Sequence, residues 1–134
     1  MIYLLDTNVC IHLLNQRHPA IERHFALHGP AGIALCSVVK AELLCGARRG
    51  QRAEANLQHL KTFFAPLHSL PFDDACAEHY GQIRAGLLAQ GKPIGPNDLF
   101  IAAIARAHDA TLITHNTAEF SRVAGVRMED WEVA

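Results

Sequence analysis

The sequence predicts one α/β domain over residues 1–134, a parallel β-sheet flanked by α-helices. Three observations predict it. Short strand-like runs recur at residues 2–5, 33–36, 67–70 and 110–114, apolar in all but the third. Stretches of helical period fill the intervals between them, and strands that alternate with helices pair in parallel through crossovers. The chain has 134 residues, 50% of them hydrophobic and 19% charged, which is enough to bury one core and too little for two.

The first run ends in Asp6-Thr7-Asn8, where the apolar period changes. Val9, Cys10, Ile11, Leu13 and Leu14 suit a helix face, with Thr7 or Asn8 as its cap. Pro19 opens a second helical stretch carrying Ile21 and Phe25, and His28-Gly29-Pro30-Ala31-Gly32 stops it. After the second strand, Ser37 is the expected N-cap of a helix over 38–48, with Gly50 beyond its end. Residues 51–64 predict a further helix with Leu57, Leu60, Phe63 and Phe64 as its stripe. A third strand over 67–70 follows. Asp73 or Asp74 then caps a long helix bearing Ala77, Tyr80, Ile83, Leu87 and Leu88, which Gly91 ends. The loop 91–97 holds two prolines and two glycines. It leads into a helix over 98–105 that is apolar nearly all round and is expected to be buried. A fourth strand, a short helix over 117–123 and an edge strand near Trp131 complete the reading.

Composition narrows the function classes. No apolar run is long enough to cross a bilayer, and the first residues lack a basic n-region and cleavage site. The four cysteines form no Cys-x-x-Cys pair, which favours free thiols in a reducing cytoplasm over a disulfide framework. Among the nine histidines, His24 and His28 share helical spacing but lack further ligands nearby in sequence, so solvated side chains are preferred to a zinc site. The net charge of -1 argues against a broad nucleic-acid footprint. It leaves room for a local patch at Arg48, Arg49 and Arg52, although such a run is more often a solvated helix face.

The acids carry the chemistry. Parallel sheets bind ligands beyond the carboxyl ends of their strands, and Asp6 stands at such an end. Asp98 opens a buried helix, whose dipole favours negative charge. Glu42 lies one turn inside the helix after strand two, and Asn116 and Glu119 follow strand four. Singly these are helix caps or solvated side chains. Together, repelling carboxylates at one edge favour a divalent cation, and all-oxygen donors favour Mg²⁺ or Mn²⁺ over zinc. Thr7 has a hydroxyl able to orient the Asp6 carboxylate or a metal-bound water. Lys92 and the backbone N–H groups of Gly91 and Gly95 are candidate phosphate contacts.

With these residues in place, the chain resembles the PIN-domain ribonucleases, and within them the VapC toxins of bacterial toxin–antitoxin pairs. The matching segments are Leu4-Leu5-Asp6-Thr7-Asn8, then Ser37-Val38-Val39-Lys40-Ala41-Glu42-Leu43-Leu44-Cys45-Gly46. Ile94-Gly95-Pro96-Asn97-Asp98-Leu99-Phe100-Ile101-Ala102-Ala103 and Leu112-Ile113-Thr114-His115-Asn116-Thr117-Ala118-Glu119-Phe120 follow, with Val123-Ala124-Gly125-Val126 and Glu129-Asp130-Trp131 at the end. The resemblance implies a metal-dependent endoribonuclease with Mg²⁺ or Mn²⁺ held chiefly by Asp6 and Asp98, and Glu42 as further ligand or water-orienting acid. Many members carry a fourth acid just after strand four. Here Asn116 is an amide, which leaves Glu119 to supply that charge and the number of ions open. Gly46 resembles a small residue that permits close packing. The resemblance further implies a homodimer, silencing by a VapB-like antitoxin, contact with DNA only through that antitoxin, and an RNA substrate. Initiator tRNA, cut in the anticodon stem-loop, is the candidate substrate.

Rival readings are weaker. A receiver-like domain wants an acidic pair after strand one and a lysine after the last strand. A haloacid-dehalogenase-like phosphatase wants an aspartate where Asn8 stands. A metal-free PIN-like binding module would have no use for Asp6, Glu42 and Asp98 together. An RNA-processing nuclease without an antitoxin differs only in its genetic neighbour.

Overall fold

Continuous apolar segments form the three central strands, which are covered on both faces, while the two edge strands are partly polar and exposed. In the computed structural model, which describes residues 1–133, these are β1 (Tyr3–Leu5), β2 (Ile33–Cys36), β3 (His68–Leu70), β4 (Thr111–Ile113) and β5 (Arg127–Glu129). All neighbours pair in parallel, in the order β3-β2-β1-β4-β5. β1 is central, with Tyr3 opposite Ile33 on one side and Thr111 on the other. Leu4, Leu5, Leu35, Leu112 and Ile113 have no exposed surface. β5 is the edge strand expected near Trp131.

The helices are α1 (Thr7–Asn15), α2 (Pro19–His28), α3 (Ser37–Arg49), α4 (Ala53–Phe64), α5 (Asp74–Ala89), α6 (Pro96–Ala107) and α7 (Thr117–Phe120). A single 3-10 turn, Pro30–Gly32, precedes β2. Among the described residues, no helix is long and apolar enough to cross a membrane. α6 is buried as its composition demands: Ile101, Ala102, Ala103, Ile104 and Ala105 are completely enclosed, and α5 packs along it. Phe72 and Tyr80 clasp Phe100 of α6, one edge-on at 5.1 Å and one stacked at 4.8 Å between ring centroids.

Several local expectations change. α1 is capped by Asp6, whose carboxylate accepts from the Thr7 N–H, rather than by Thr7 or Asn8. Ser37 is the first residue of α3, and Cys36 occupies its cap position without a side-chain bond. Asp73, not Asp74, caps α5. The buried stripe of α5 runs through Cys76, Ile83 and Leu87, while Ala77 and Leu88 face solvent. α6 starts at Pro96, which is pre-set for the first helical turn, and α7 stops at Phe120 rather than Val123. The cysteines are free thiols; Cys10, Cys36 and Cys76 are buried and Cys45 is exposed.

His24 and His28 are half-buried rather than freely solvated. Their rings stack on the buried Trp131 at 5.2 Å and 5.3 Å, and Tyr3 closes the group against His28. The indole N–H donates to Glu129 Oε1 at 3.1 Å. This aromatic stack fastens the segment after β5 to α2.

Candidate active site

Asp6 leaves β1 where the sheet order turns from β1 to β4, the place where open α/β sheets bind ligands. Its backbone N–H donates to the Ile113 carbonyl at 2.9 Å. Its carboxylate is held at both oxygens. Oδ1 accepts from the Thr7 N–H and Oδ2 accepts from the Thr114 hydroxyl, each at 2.8 Å. The side chain is 9% exposed, and that burial raises the pKa of the carboxyl above the usual range. The Thr114 and Thr7 bonds offset part of the rise, and the charges of Glu42 and Glu119 add to it.

Glu42 projects from α3 and is half-buried. Its Oε1 accepts from the Thr7 hydroxyl at 2.8 Å. Thr7 therefore orients Glu42, and Thr114 orients Asp6. Sequence reasoning missed Thr114. The available signal was a hydroxyl residue immediately after the buried run Thr111-Leu112-Ile113, at the same sheet edge as Asp6.

Asp98 is the third residue of α6 and is half-buried. Its carboxyl is pushed up to about 7, by burial first, then by the charges of Glu119 and Asp6, a hydrogen bond with Glu119, and the charge of Glu42. Glu119 moves the other way. Its Oε1 accepts from the Gly95 N–H and its Oε2 from the Asn116 amide, each at 2.8 Å, and these bonds hold it below the usual range. Asp98 and Glu119 thus form an unequal pair in which the proton resides on Asp98. The Asn116 amide also approaches Asp98 Oδ2 at 3.5 Å. The Asn116 N–H donates to the Thr114 hydroxyl at 3.0 Å, so one chain of bonds joins Asn116, Thr114 and Asp6.

All four sequence-predicted acids therefore meet at one edge. Two supporting expectations fail. The Gly91 and Gly95 N–H groups are committed to the Leu88 carbonyl and to Glu119 rather than free for a phosphate. A Cβ on Gly46 would meet nothing within 4 Å, so Gly46 is no close-packing device. It instead lines an open cleft of about 350 Å³ that Thr7, Ile11, Leu14, Glu42 and His59 share. On the other side of Glu42, a shallower groove includes Arg49, Asn97 and Phe100.

No lysine or arginine forms an ion pair with Asp6, Glu42, Asp98 or Glu119 among the described residues. Their partners are neutral: two threonines, an asparagine and backbone N–H groups. Arg122 favours ionised Glu119 through its charge from beyond ion-pair distance, and an all-oxygen donor set so little compensated fits a hard divalent cation. Mg²⁺ keeps several waters and binds through few carboxylates, which such a set can supply.

The model of the PIN domain family matches residues 3–126. The chain belongs to the PIN-domain family. Within that family it is similar to VapC proteins. It is 40% identical over 129 residues to the tRNA(fMet)-specific endonuclease VapC of Shigella flexneri, covering 96% of this chain and 97% of the relative. It is 37% identical to ribonuclease VapC2 of Rickettsia felis, covering 98% and 99% of the two chains. Among solved structures, the DNA-bound VapBC complex from Salmonella typhimurium superposes with a TM-score of 0.92 at 36% identity, covering 98% of each chain. The PIN sheet order also separates this chain from receiver-like domains, whose sheets run 2-1-3-4-5.

Proposed function

We propose that this PIN-domain protein is a Mg²⁺- or Mn²⁺-dependent endoribonuclease acting in the cytoplasm as the toxin of a toxin–antitoxin pair. The observation that carries the reading is the meeting of Asp6, Glu42, Asp98 and Glu119 with only neutral partners, at the sheet's switch point. The similarity to proteins named ribonuclease VapC and tRNA(fMet)-specific endonuclease supports RNA as the substrate and makes initiator tRNA the first candidate. The similarity to a DNA-bound VapBC complex supports a VapB-like antitoxin as partner; a homodimer as the working unit and DNA contact through the antitoxin alone complete the proposal.

Asp6 and Asp98 are the proposed principal ligands, with Glu42 and Glu119 completing the acidic ring. A divalent ion bound there supplies acidification of a water and stabilisation of charge on the phosphodiester. The chain's own residues do the rest. Asp6, held at both oxygens, presents a fixed carboxylate. Glu42, held by Thr7 through Oε1, keeps Oε2 for orienting a water. Asp98 gives up its proton when positive charge enters the cleft, and Glu119, already ionised, balances that charge. Arg49, beside Glu42, is placed to meet a phosphate of the RNA backbone.

Incubation of the purified chain with tRNA in Mg²⁺ tests the reading. Cleavage is expected, EDTA stops it, and Asp6→Asn or Asp98→Asn lowers it by roughly a hundredfold or more. Equal cleavage in EDTA would overturn the metal mechanism. Expression in cells is expected to arrest growth, and co-expression of an adjacent small DNA-binding protein to relieve it. Soluble, active protein without arrest would favour an RNA-processing nuclease instead.

A further inference from the structure

A second cluster of metal-binding side chains lies outside the acidic cleft. His115 follows Thr114 at the end of β4, and Asp130 and Glu132 follow β5. The ligand atoms of these three side chains lie within 4.8 Å of one another. His12, from α1, stands just outside this group, its Nε2 3.9 Å from Glu132 Oε2. We infer that His115, Asp130 and Glu132 form a three-ligand binding site, with a fourth position left for water, for a transition-metal ion of the Zn²⁺ class.

The geometry is close to what such an ion requires. Tetrahedral zinc with bonds of about 2.1 Å places neighbouring ligand atoms roughly 3.4 Å apart. His115 Nδ1 stands 2.9 Å from Asp130 Oδ2 and 3.8 Å from Glu132 Oε2. These two edges bracket the tetrahedral value. An imidazole beside two carboxylates suits a borderline ion, whereas the all-carboxylate cleft suits a hard one.

The ligands are also held from behind, as working metal ligands are. Asp130 Oδ1 accepts from the Glu132 N–H at 2.9 Å, which leaves Oδ2 facing His115. His18 Nε2 faces Glu132 Oε1 at 3.6 Å, so Oε2 is the oxygen turned to the cluster. Asp130 and Glu132 side chains are each 19% exposed and His115 is 63% exposed, which gives a held site with an open entrance. The histidine and the carboxylates come from the ends of two different strands. A bound ion would tie the segment after β5 to the end of β4.

The test uses the tag-free chain, dialysed against Zn²⁺, with bound metal measured by mass spectrometry and the site probed by Co²⁺ absorption. The wild-type chain is expected to retain a single zinc ion and to give the intense visible bands of tetrahedral cobalt. The Asp6→Asn/Asp98→Asn variant is expected to retain both properties. His115→Ala/Glu132→Gln is expected to bind zinc at least roughly tenfold more weakly. His115→Gln alone, at the most exposed ligand, gives the same direction where the double variant does not fold. A wild-type chain that holds no zinc, or zinc held by the His115 and His115/Glu132 variants as tightly as by the wild type, overturns the site and leaves ordinary ion pairs. Zinc lost only in the Asp6/Asp98 variant overturns it as well, by placing the ion in the acidic cleft.

Discussion

Thr114 does for Asp6 what no nearby residue does: it donates to the carboxylate oxygen that Thr7 leaves free. Thr114→Val keeps the shape and removes the hydroxyl. A hydrogen bond to a buried charge contributes about 1.5–3 kcal/mol, so urea unfolding is expected to register a loss of about 2 kcal/mol. The same variant removes the largest influence lowering the Asp6 carboxyl. Its cleavage–pH profile is therefore expected to move to higher pH, and an unchanged profile would count against Asp6 as an ionised ligand. Asp98 has the opposite importance. Its folded pKa of about 7 lies above the ordinary 3.8, so between those values the native chain holds a proton the unfolded chain has released. The metal-free protein is expected to lose stability as pH rises from about 4 to about 7. Partial exposure of Asp98 screens the effect to about 1–2 kcal/mol. Asp98→Asn is expected to remove that slope and to stabilise the metal-free chain at neutral pH, as urea midpoints at pH 5 and pH 8 would show. Glu119, held low, acts in a separate window: its contribution fades only as pH falls below the ordinary 4.5.

Among the elements, α6 matters most, since it carries Asp98 on a helix enclosed from Ile101 to Ala105. Ile104→Ala opens a cavity there. A loss of about 2–5 kcal/mol is expected in thermal or urea unfolding, with the Asp98 backbone loosened as well. Trp131→Ala is expected to cost about 3–5 kcal/mol, because it removes the ring between His24, His28 and Tyr3. The elements were legible because buried parallel strands read as unbroken apolar runs and amphipathic helices as a stripe. Their ends were less so. A cap is chosen by backbone geometry, and Asp6, Thr7 and Asn8 are all competent cap residues. The acids were legible through their positions after strands and at helix starts. Thr114 was not, since its partner lies 108 residues away. The role of Trp131 was hidden for the same reason: stacking on His24 leaves no periodic trace in sequence.

At the scale of the molecule, the sheet order explains why the acids converge. β1 and β4 are adjacent and carry Asp6 and Thr114 at the same edge, while β2 feeds α3 with Glu42 toward it. The helix α6 enters from the loop before it, where Gly95 is tied to Glu119. The order β3-β2-β1-β4-β5 thus brings four distant segments to one place without any irregular strand.

The bond between Thr114 and Asp6 also sets a schedule. A chain emerging from the ribosome presents Asp6 and Glu42 long before Thr114, Asn116 and Glu119. Contacts of such long range form last, because the intervening chain must close first. A nascent chain that stops short of β4 therefore holds acids without a finished cleft. The cleft stays inert until its most distant segments have met.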